Sequence, residues 1–431
     1  MKSASVIISA CALFAPIAWA DSSPDDISAL RQQVQQLTEL VQQLNGMVQA
    51  QQQHIADLER AGIARTSPAA SLPSTAPPSE SSFGRQNLGR VGLSAFNPEI
   101  GVVADMVGQL SESSKDEDGN DKLSVREIEL VFGHPIDPYS RLDATITFSD
   151  FENPDIEEAY ITHWGLPAEI RAKLGRMRPK IGKAGAVHGD VLDTIDEPLV
   201  VSEYLGREGL FRSGLELTGF LPVPWTAVTH ELTVGAMEGG VGEGGQLFGE
   251  TRRRPSFYTH LKNFLDVSDT SNIEIGATYL LGSKDADKAY EVNAVGLDAT
   301  FIHYITPANK LKWQNEAYLQ ERKESFSIAE DGARTDFGKN PWGFYSLLDY
   351  RVSPRIGVGG RFDYVEPVDL NPTTRARDAD TAWSGYMTLY QSEFARWRLQ
   401  FRHTDFAAGG DDNTIFAQGT VAIGVHKHQL Q

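Results

Sequence analysis

Cysteine is almost absent from this chain of 431 residues, because Cys11 is the only one. The first twenty residues carry Lys2, an apolar stretch and an Ala-Trp-Ala end, which predicts a secretory signal peptide over residues 1–20. Lipoprotein-type cleavage before Cys11 is less favoured, because the apolar run ahead of it is very short. Cleavage after Ala20 removes the only cysteine, which excludes disulfides and thiolate metal sites from the mature chain.

Long apolar runs and an excess of positive charge are also lacking. Beyond the signal there is no run of about 18 apolar residues, which excludes a membrane-spanning helix but not a barrel, whose alternating pattern averages out in hydropathy. The net charge of −19 becomes −20 once Lys2 leaves, so nucleic acid is a poor partner. Neither an HExxH nor a GxSxG motif occurs, so we expect no enzyme.

The first segment after the signal has a heptad pattern. Between Ile27 and Leu58 the apolar positions alternate in spacing between three and four, with β-branched residues at a, leucine at d and mainly glutamine outside. This predicts a periplasmic coiled coil over residues 21–60; the core favours two strands, and the oligomer number stays open. The alternative is a single amphipathic helix packed on its own domain. Residues 61–91 are rich in Pro, Ser and Ala, which predicts an extended linker.

Residues 92–431 break into runs that alternate apolar and polar side chains. In one of them, Leu142, Ala144 and Ile146 alternate with Asp143 and Thr145. We count sixteen such runs, in which short turns mostly alternate with long polar loops and aromatics fall near the ends. The pattern predicts an all-β transmembrane barrel of about 16 antiparallel strands in the outer membrane of a Gram-negative bacterium. A soluble antiparallel protein is the alternative, since sandwiches also alternate.

The stretch from Ile170 to Pro222 is predicted to form a strand, a long loop and a strand. Arg176, Arg178 and Lys180 are two residues apart, so an extended strand would point all three to one face. The loop that follows is too apolar for an ordinary solvent loop. We therefore expect it to fold inward over about residues 184–206 and to constrict the channel.

The barrel resembles the phosphate-selective porin family and related outer-membrane porins of sixteen strands. The resemblance covers about residues 96–426 and rests on these motifs: Asn97-Pro98, Gly175-Arg176, Lys180-Ile181-Gly182, Pro198 and Leu205-Gly206-Arg207-Glu208-Gly209-Leu210. It implies a passive porin that forms a homotrimer, in contact with outer-membrane lipid and lipopolysaccharide. Some similar chains carry the label of a zinc-regulated, TonB-dependent outer-membrane receptor. The family commonly ends on an aromatic residue used in assembly, whereas this chain ends HKHQLQ.

Basic residues at inward parity are predicted to line the channel and to favour small anions such as phosphate or carboxylates. Stacked cationic groups lower the barrier for anions, and arginine binds carboxylate or phosphate in a bidentate way. The alternative is that these groups only pair with carboxylates inside the barrel. Acidic loops such as KDEDGND are expected to bind divalent cations or lipopolysaccharide bridges. The predicted pore-lining residues are Arg176, Arg178, Lys180, Lys183, Arg207, Arg212, Glu216, Arg398 and Arg402.

A rival site lies in the predicted constriction loop. His188, Asp190, Asp193 and Asp196 are close enough in sequence to bind a divalent ion such as zinc, although hydrophilic loop residues also explain them. Such a site would suit a zinc-related outer-membrane receptor, and a purely structural envelope protein is a third possibility. The chain is too short for an energy-coupled receptor, which needs about 22 strands and a plug. No permanent cofactor is expected.

Overall fold

The computed structural model describes residues 98–112, 121–150, 153–206, 209–223, 227–238, 255–283, 291–328, 334–368 and 375–424. The chain divides into two compact units, Met1–Asn87 and Leu88–Gln431. The predicted signal peptide, coiled coil and linker lie outside the described residues, and so does the acidic loop KDEDGND.

The second unit forms one antiparallel sheet of seventeen strands. Their bounds are β1 Glu99–Ser111, β2 Asp121–Asp137, β3 Ser140–Phe148, β4 Asp155–His163, β5 Arg171–Met177, β6 Arg212–Phe220, β7 Val228–Met237, β8 Ser256–Ser268, β9 Ser271–Ser283, β10 Glu291–Thr306, β11 Asn309–Ile328, β12 Arg334–Lys339, β13 Trp342–Ser353, β14 Ile356–Val365, β15 Asp380–Ser392, β16 Ala395–Asp405 and β17 Asp411–Gly424.

The sheet closes on itself. β1 pairs with β2 along one edge and with β17 along the other, in a register that runs from Gly101 opposite Gly424 to Ser111 opposite Thr414. β12 pairs with the far part of β11, whereas the near part of β11 pairs with β13. β12 therefore extends one hairpin, and the wall contains the other sixteen strands, which confirms the predicted closed barrel.

The two faces of the wall have opposite chemistry. In β16, Trp397 and Leu399 are about half exposed, whereas Arg398 and Gln400, which alternate with them, are buried. In β10, Leu297 is 60% exposed and the neighbouring Asp298 is 3% exposed. Apolar side chains therefore point outward and polar ones inward, as in a barrel that faces lipid. A soluble sandwich would bury the apolar face instead, so that alternative is wrong.

Short turns join the strands at one end of the wall, for example at Pro138–Tyr139 and at Pro354–Arg355. At the other end the connections are longer, and the longest described one joins β5 to β6. This connection contains short 3-10 turns at Ala184–Ala186 and Gly189–Val191 and one short helix, α1, at Leu199–Tyr204. None of the helices among the described residues has the length and the apolar character needed to span a membrane.

Candidate functional site

The described residues of the connection between β5 and β6, 178–206 and 209–211, lie against inward-facing side chains of the wall, and we call them the inner segment. Its first part reaches the wall around β6 and β11. The Lys180 backbone N–H donates to Glu216 Oε2 at 3.1 Å, and the Ala184 N–H donates to Glu316 Oε2 at 3.0 Å. The Lys183 ammonium lies 3.2 Å from Asp298 Oδ1 on β10 and also pairs with Glu274 on β9. Inner-wall carboxylates thus accept hydrogen bonds from the inner segment as it crosses the lumen.

The middle of the inner segment binds a row of polar side chains on β16. Because strand side chains alternate, the inward positions of β16 form one line. Arg398 Nη1 donates to the Thr194 carbonyl at 2.9 Å, and the Ile195 N–H donates to Gln400 Oε1 at 2.7 Å. This row consists of Arg396, Arg398, Gln400 and Arg402. Arg398 and Arg402 of this row were predicted to line an anion path, and both contact the inner segment.

Asp196 binds three side chains of the wall. Its Oδ2 lies 2.7 Å from Arg402 Nη1 and 2.9 Å from Arg361 Nη2, and its Oδ1 accepts a hydrogen bond from Gln400. Arg361 is fully buried and also pairs with Asp363 at 2.7 Å. Burial alone would raise the pKa of the Asp196 carboxyl, but the two guanidinium groups hold that pKa well below its usual range.

The last part of the inner segment packs through apolar contacts. Val200, Val201 and Tyr204 of α1 are almost completely buried against β13 and β14. The Tyr204 hydroxyl donates to the Glu366 carbonyl at 2.9 Å. The wall contributes an apolar patch that includes Leu280, Val292, Ala294, Tyr318, Tyr345, Leu347 and Val365. Sequence reasoning missed this patch because it assigned inward positions to polar residues only.

The structure does not place Arg176, Arg178 and Lys180 on one strand face, which corrects that expectation. β5 ends at Met177, since Pro179 has no N–H for the ladder and restricts the residue before it. Arg176 has the outward parity of the exposed Leu174 and lies 3.3 Å from Asp155.

Arg178 is buried at the start of the inner segment. Its guanidinium lies 4.1 Å from the centre of the Phe211 ring, and its Nη2 lies 3.0 Å from Glu157 Oε1. Of the remaining predicted residues, Lys180, Lys183 and Arg212 are partly buried. Glu216 is buried and accepts from the Tyr258 hydroxyl at 2.9 Å. Arg207 lies outside the described residues.

The four predicted metal ligands of the loop are not brought together. Asp193 pairs with Lys312 on β11, and Asp196 pairs with two arginines. His188 instead points toward carboxylates of the wall. Asp190 is buried in the short turn Gly189–Val191 and interacts electrostatically with Glu129, one of the carboxylates beside His188. Asp193 and Asp196 instead pair with bases on other strands, so closeness in sequence did not give a common site.

His188 lies among three glutamates. Its Nδ1 is 3.0 Å from Glu157 Oε1 and 3.5 Å from Glu129 Oε1, and its Nε2 is 3.5 Å from Glu158 Oε2. Burial and the nearby Arg178 would lower the pKa of His188, but the three carboxylates raise that pKa well above its usual value.

Two β-bulges bring extra side chains to this region. In the pairing of β3 with β4, Thr145 lies opposite Glu158 and the next residue, Ile146, lies opposite Ile156. Glu157 therefore has no residue opposite it on β3, and both Glu157 and Glu158 are buried. The pairing of β1 with β2 shifts in the same way at Arg126, which reaches Asp105 and the Ile195 carbonyl. A bulge commonly redirects a side chain in this way. The consecutive glutamates at 157 and 158 were the available sequence signal.

Comparison with known proteins gives one sequence relative and several structural ones. No family model matches the chain. An uncharacterized protein from Aquifex aeolicus (strain VF5) is 28% identical over 291 residues, which is 63% of this chain. The chain spans about three-fifths of the length of that relative, 61%.

Three solved structures share the architecture. They are OprB of Pseudomonas putida (TM-score 0.52, 11% identity, 81% of this chain and 100% of that chain), the anion-selective porin of Comamonas acidovorans (0.51, 7%, 76% and 99%) and Salmonella typhi OmpF in complex with daunomycin (0.51, 9%, 76% and 97%). At these identities the similarity establishes the fold alone. The chain therefore has the closed sixteen-strand fold of outer-membrane porins.

Proposed function

We propose that this protein is a passive diffusion channel in the outer membrane of a Gram-negative bacterium, with a preference for small anions such as phosphate or carboxylates. The closed wall with an apolar outer face supports the membrane location. The inner segment that crosses the lumen supports a narrowed channel. We further propose a homotrimer with its coiled coil in the periplasm and with its long loops toward lipopolysaccharide.

The distribution of charge inside the barrel carries the anion preference. Among the described residues, twelve carboxylates, five arginines and no lysine are buried. Lys180 is half-buried. Burial together with the neighbouring Lys173 and Arg171 lowers the pKa of Lys180, and Glu216 and Glu231 act in the opposite direction, so three bases and two acids lie close together. More carboxylates than bases are therefore withdrawn from water inside the barrel, and we propose that the bases around Lys180 attract anions.

The wall of sixteen strands argues against the alternative of an energy-coupled zinc receptor. Such transporters have about 22 strands around a plugged lumen. Here the interior is crossed by a segment of the wall's own chain between β5 and β6. A passive channel fits this architecture better.

Single-channel recording in a planar bilayer under a KCl gradient tests the proposal. We expect conductance in steps of three and a reversal potential that shows chloride preference. Lys180→Glu changes the local charge in the lumen by two units, which at about 7 Å in water shifts the energy of a passing ion by about 1 kcal/mol. The shift has opposite signs for chloride and potassium, so the chloride-to-potassium permeability ratio should fall about thirtyfold.

Arg355→Glu is the matched control for the recording. It makes the same change of charge in an exposed short turn outside the lumen, so the permeability ratio should stay as in the wild type. Cation preference in the wild-type protein would contradict the anion assignment. A purified barrel that does not conduct would contradict the channel itself and would favour a structural envelope role.

A further inference from the structure

Three potential metal ligands meet where the inner segment touches β2 and β4. Glu129 comes from β2, Glu157 from β4 and His188 from the inner segment. All three are buried, and one donor atom from each lies within 4.8 Å of the others. Residues far apart in sequence thus converge on one point, which distinguishes this group from a run of hydrophilic loop residues.

The separations of the donor atoms fit a small cation. His188 Nδ1 lies 3.0 Å from Glu157 Oε1 and 3.5 Å from Glu129 Oε1. A tetrahedral zinc ion with bonds of about 2.0–2.1 Å holds its ligand atoms about 3.3 Å apart. The side chains can therefore bind such an ion with small rotations.

Two further observations point to a bound ion. Glu157 Oε2 is buried and accepts no hydrogen bond from any described residue, and Glu129 Oε1 has its neighbouring donor, His188 Nδ1, at the long distance of 3.5 Å. The other ring nitrogen of His188, Nε2, faces Glu158 Oε2 at 3.5 Å. A histidine that binds a metal commonly donates its second N–H to a carboxylate, which fixes the ring orientation. Glu158 is itself held, because its Oε1 accepts from the Arg178 backbone N–H at 3.1 Å.

The charge of the group also suits a dication. The carboxylates of Glu129, Glu157, Glu158 and the nearby Asp190 carry four negative charges, and the buried Arg178 guanidinium carries one positive charge. With a metal-bound, neutral His188 the sum is −3, and a divalent ion offsets most of it. Arg178 Nη2 donates to the same Glu157 Oε1 at 3.0 Å, and this carboxylate keeps further lone pairs for an ion.

We propose that Glu129, Glu157 and His188 bind one first-row divalent transition-metal ion, with Glu158 as the positioning residue for the imidazole. One imidazole with carboxylates favours an ion such as Zn²⁺ over Mg²⁺ or Ca²⁺, which prefer oxygen ligands only. Because His188 belongs to the inner segment and the glutamates belong to the wall, the ion clamps the inner segment to β2 and β4. This site is separate from the proposed anion path and does not depend on it.

Equilibrium dialysis against Zn²⁺ tests the proposal, with the full-length protein in detergent and without a polyhistidine tag. Bound metal is counted by atomic emission after dialysis. We expect Glu129→Gln and His188→Gln each to bind one zinc ion fewer per chain than the wild type. The matched controls are Asp349→Asn, a buried inner-wall carboxylate beside Tyr386, and His260→Gln, a buried histidine beside Thr278. Both controls should keep the wild-type stoichiometry.

Equal zinc binding by the wild type and by folded Glu129→Gln and His188→Gln would overturn the proposal and would assign the bound zinc to other groups. Folding is checked by the heat-dependent shift of the barrel on a gel. If the variants do not fold, Co²⁺ titration of the wild type decides. The intense visible bands of four- or five-coordinate Co²⁺ support the site, and the weak spectrum of hexa-aqua Co²⁺ overturns it.

Discussion

Replacing Asp196 by Asn should loosen the inner segment more than any other conservative change of one side chain. In the wild type, Asp196 accepts from Arg361, Arg402 and Gln400, which lie on two different strands. The amide keeps the size of the carboxylate but loses its charge, and its nitrogen cannot accept from a guanidinium. The change therefore isolates the electrostatic contribution from the packing.

The magnitude follows from the burial of the partners. Breaking a buried ion pair by removing one partner costs about 3–5 kcal/mol. Arg361 is 0% exposed and keeps Asp363 as a partner, whereas the side chain of Arg402 is 20% exposed and regains water. Both effects reduce the cost, so we expect the free energy of unfolding to fall by about 3 kcal/mol.

Urea unfolding of the protein in lipid vesicles measures this loss, and the midpoint should fall while the denaturant slope stays constant. Asp378→Asn is the matched control, because Asp378 is 84% exposed and its pair with Arg375 at 3.0 Å is at the surface. It should cost less than about 1 kcal/mol. A loss below about 1 kcal/mol for Asp196→Asn would refute the conclusion that this carboxylate holds the inner segment.

Three further predictions concern the inner segment. Gly182→Ala should destabilise the barrel in urea unfolding, because Gly182 has φ +61° and an added Cβ would collide with a carboxylate of β11. The control Gly385→Ala should be nearly neutral, because no atom lies within 4 Å of the added Cβ. Leu205→Ala should lower the free energy of unfolding by about 2–5 kcal/mol, because the side chain is 1% exposed in the apolar core. The outward-facing Leu297→Ala should lower it clearly less in the same assay. Equal losses would refute the conclusion that Leu205 packs in a core. The pKa of Asp196 lies below its usual value, so its contribution to stability is complete above about pH 4 and is lost as the pH falls further. Hence the stability difference between the wild type and Asp196→Asn should be constant at neutral pH and should shrink in acid, and a constant difference down to about pH 2 would contradict the argument.

The strands were predictable because their signal is local. In β16 the alternation of Trp397, Leu399 and Phe401 with Arg398 and Gln400 specifies both the extended conformation and the two faces. The alternation of short turns with long loops likewise indicated an up-and-down barrel. The extra strand β12 was not predicted, because it lies within a connection that read as a polar loop.

The site was less predictable because its partners are set by register and by bulges. The local sequence does not indicate that Asp193 pairs with Lys312 or that Asp196 pairs with Arg402, because each pair depends on how the inner segment crosses the lumen. The apolar patch of the inner wall had a weak signal in Leu280 and Leu281, which are adjacent and apolar where strict alternation expects one polar residue. Such breaks in alternation mark where an inner wall is covered by protein.

The bonds between the inner segment and β16 constrain the order of folding. Asp190 and Asp196 are each 206 residues away from their partners Arg396 and Arg402, and β16 is the last strand but one. The segment is synthesised early, yet its partners on β16 exist only when nearly the whole chain is available. Closing so long a loop carries an entropic cost and slows contact formation. The contacts of the inner segment with β16 are therefore a late event in assembly, and they form together with the closure of the barrel by β16 and β17.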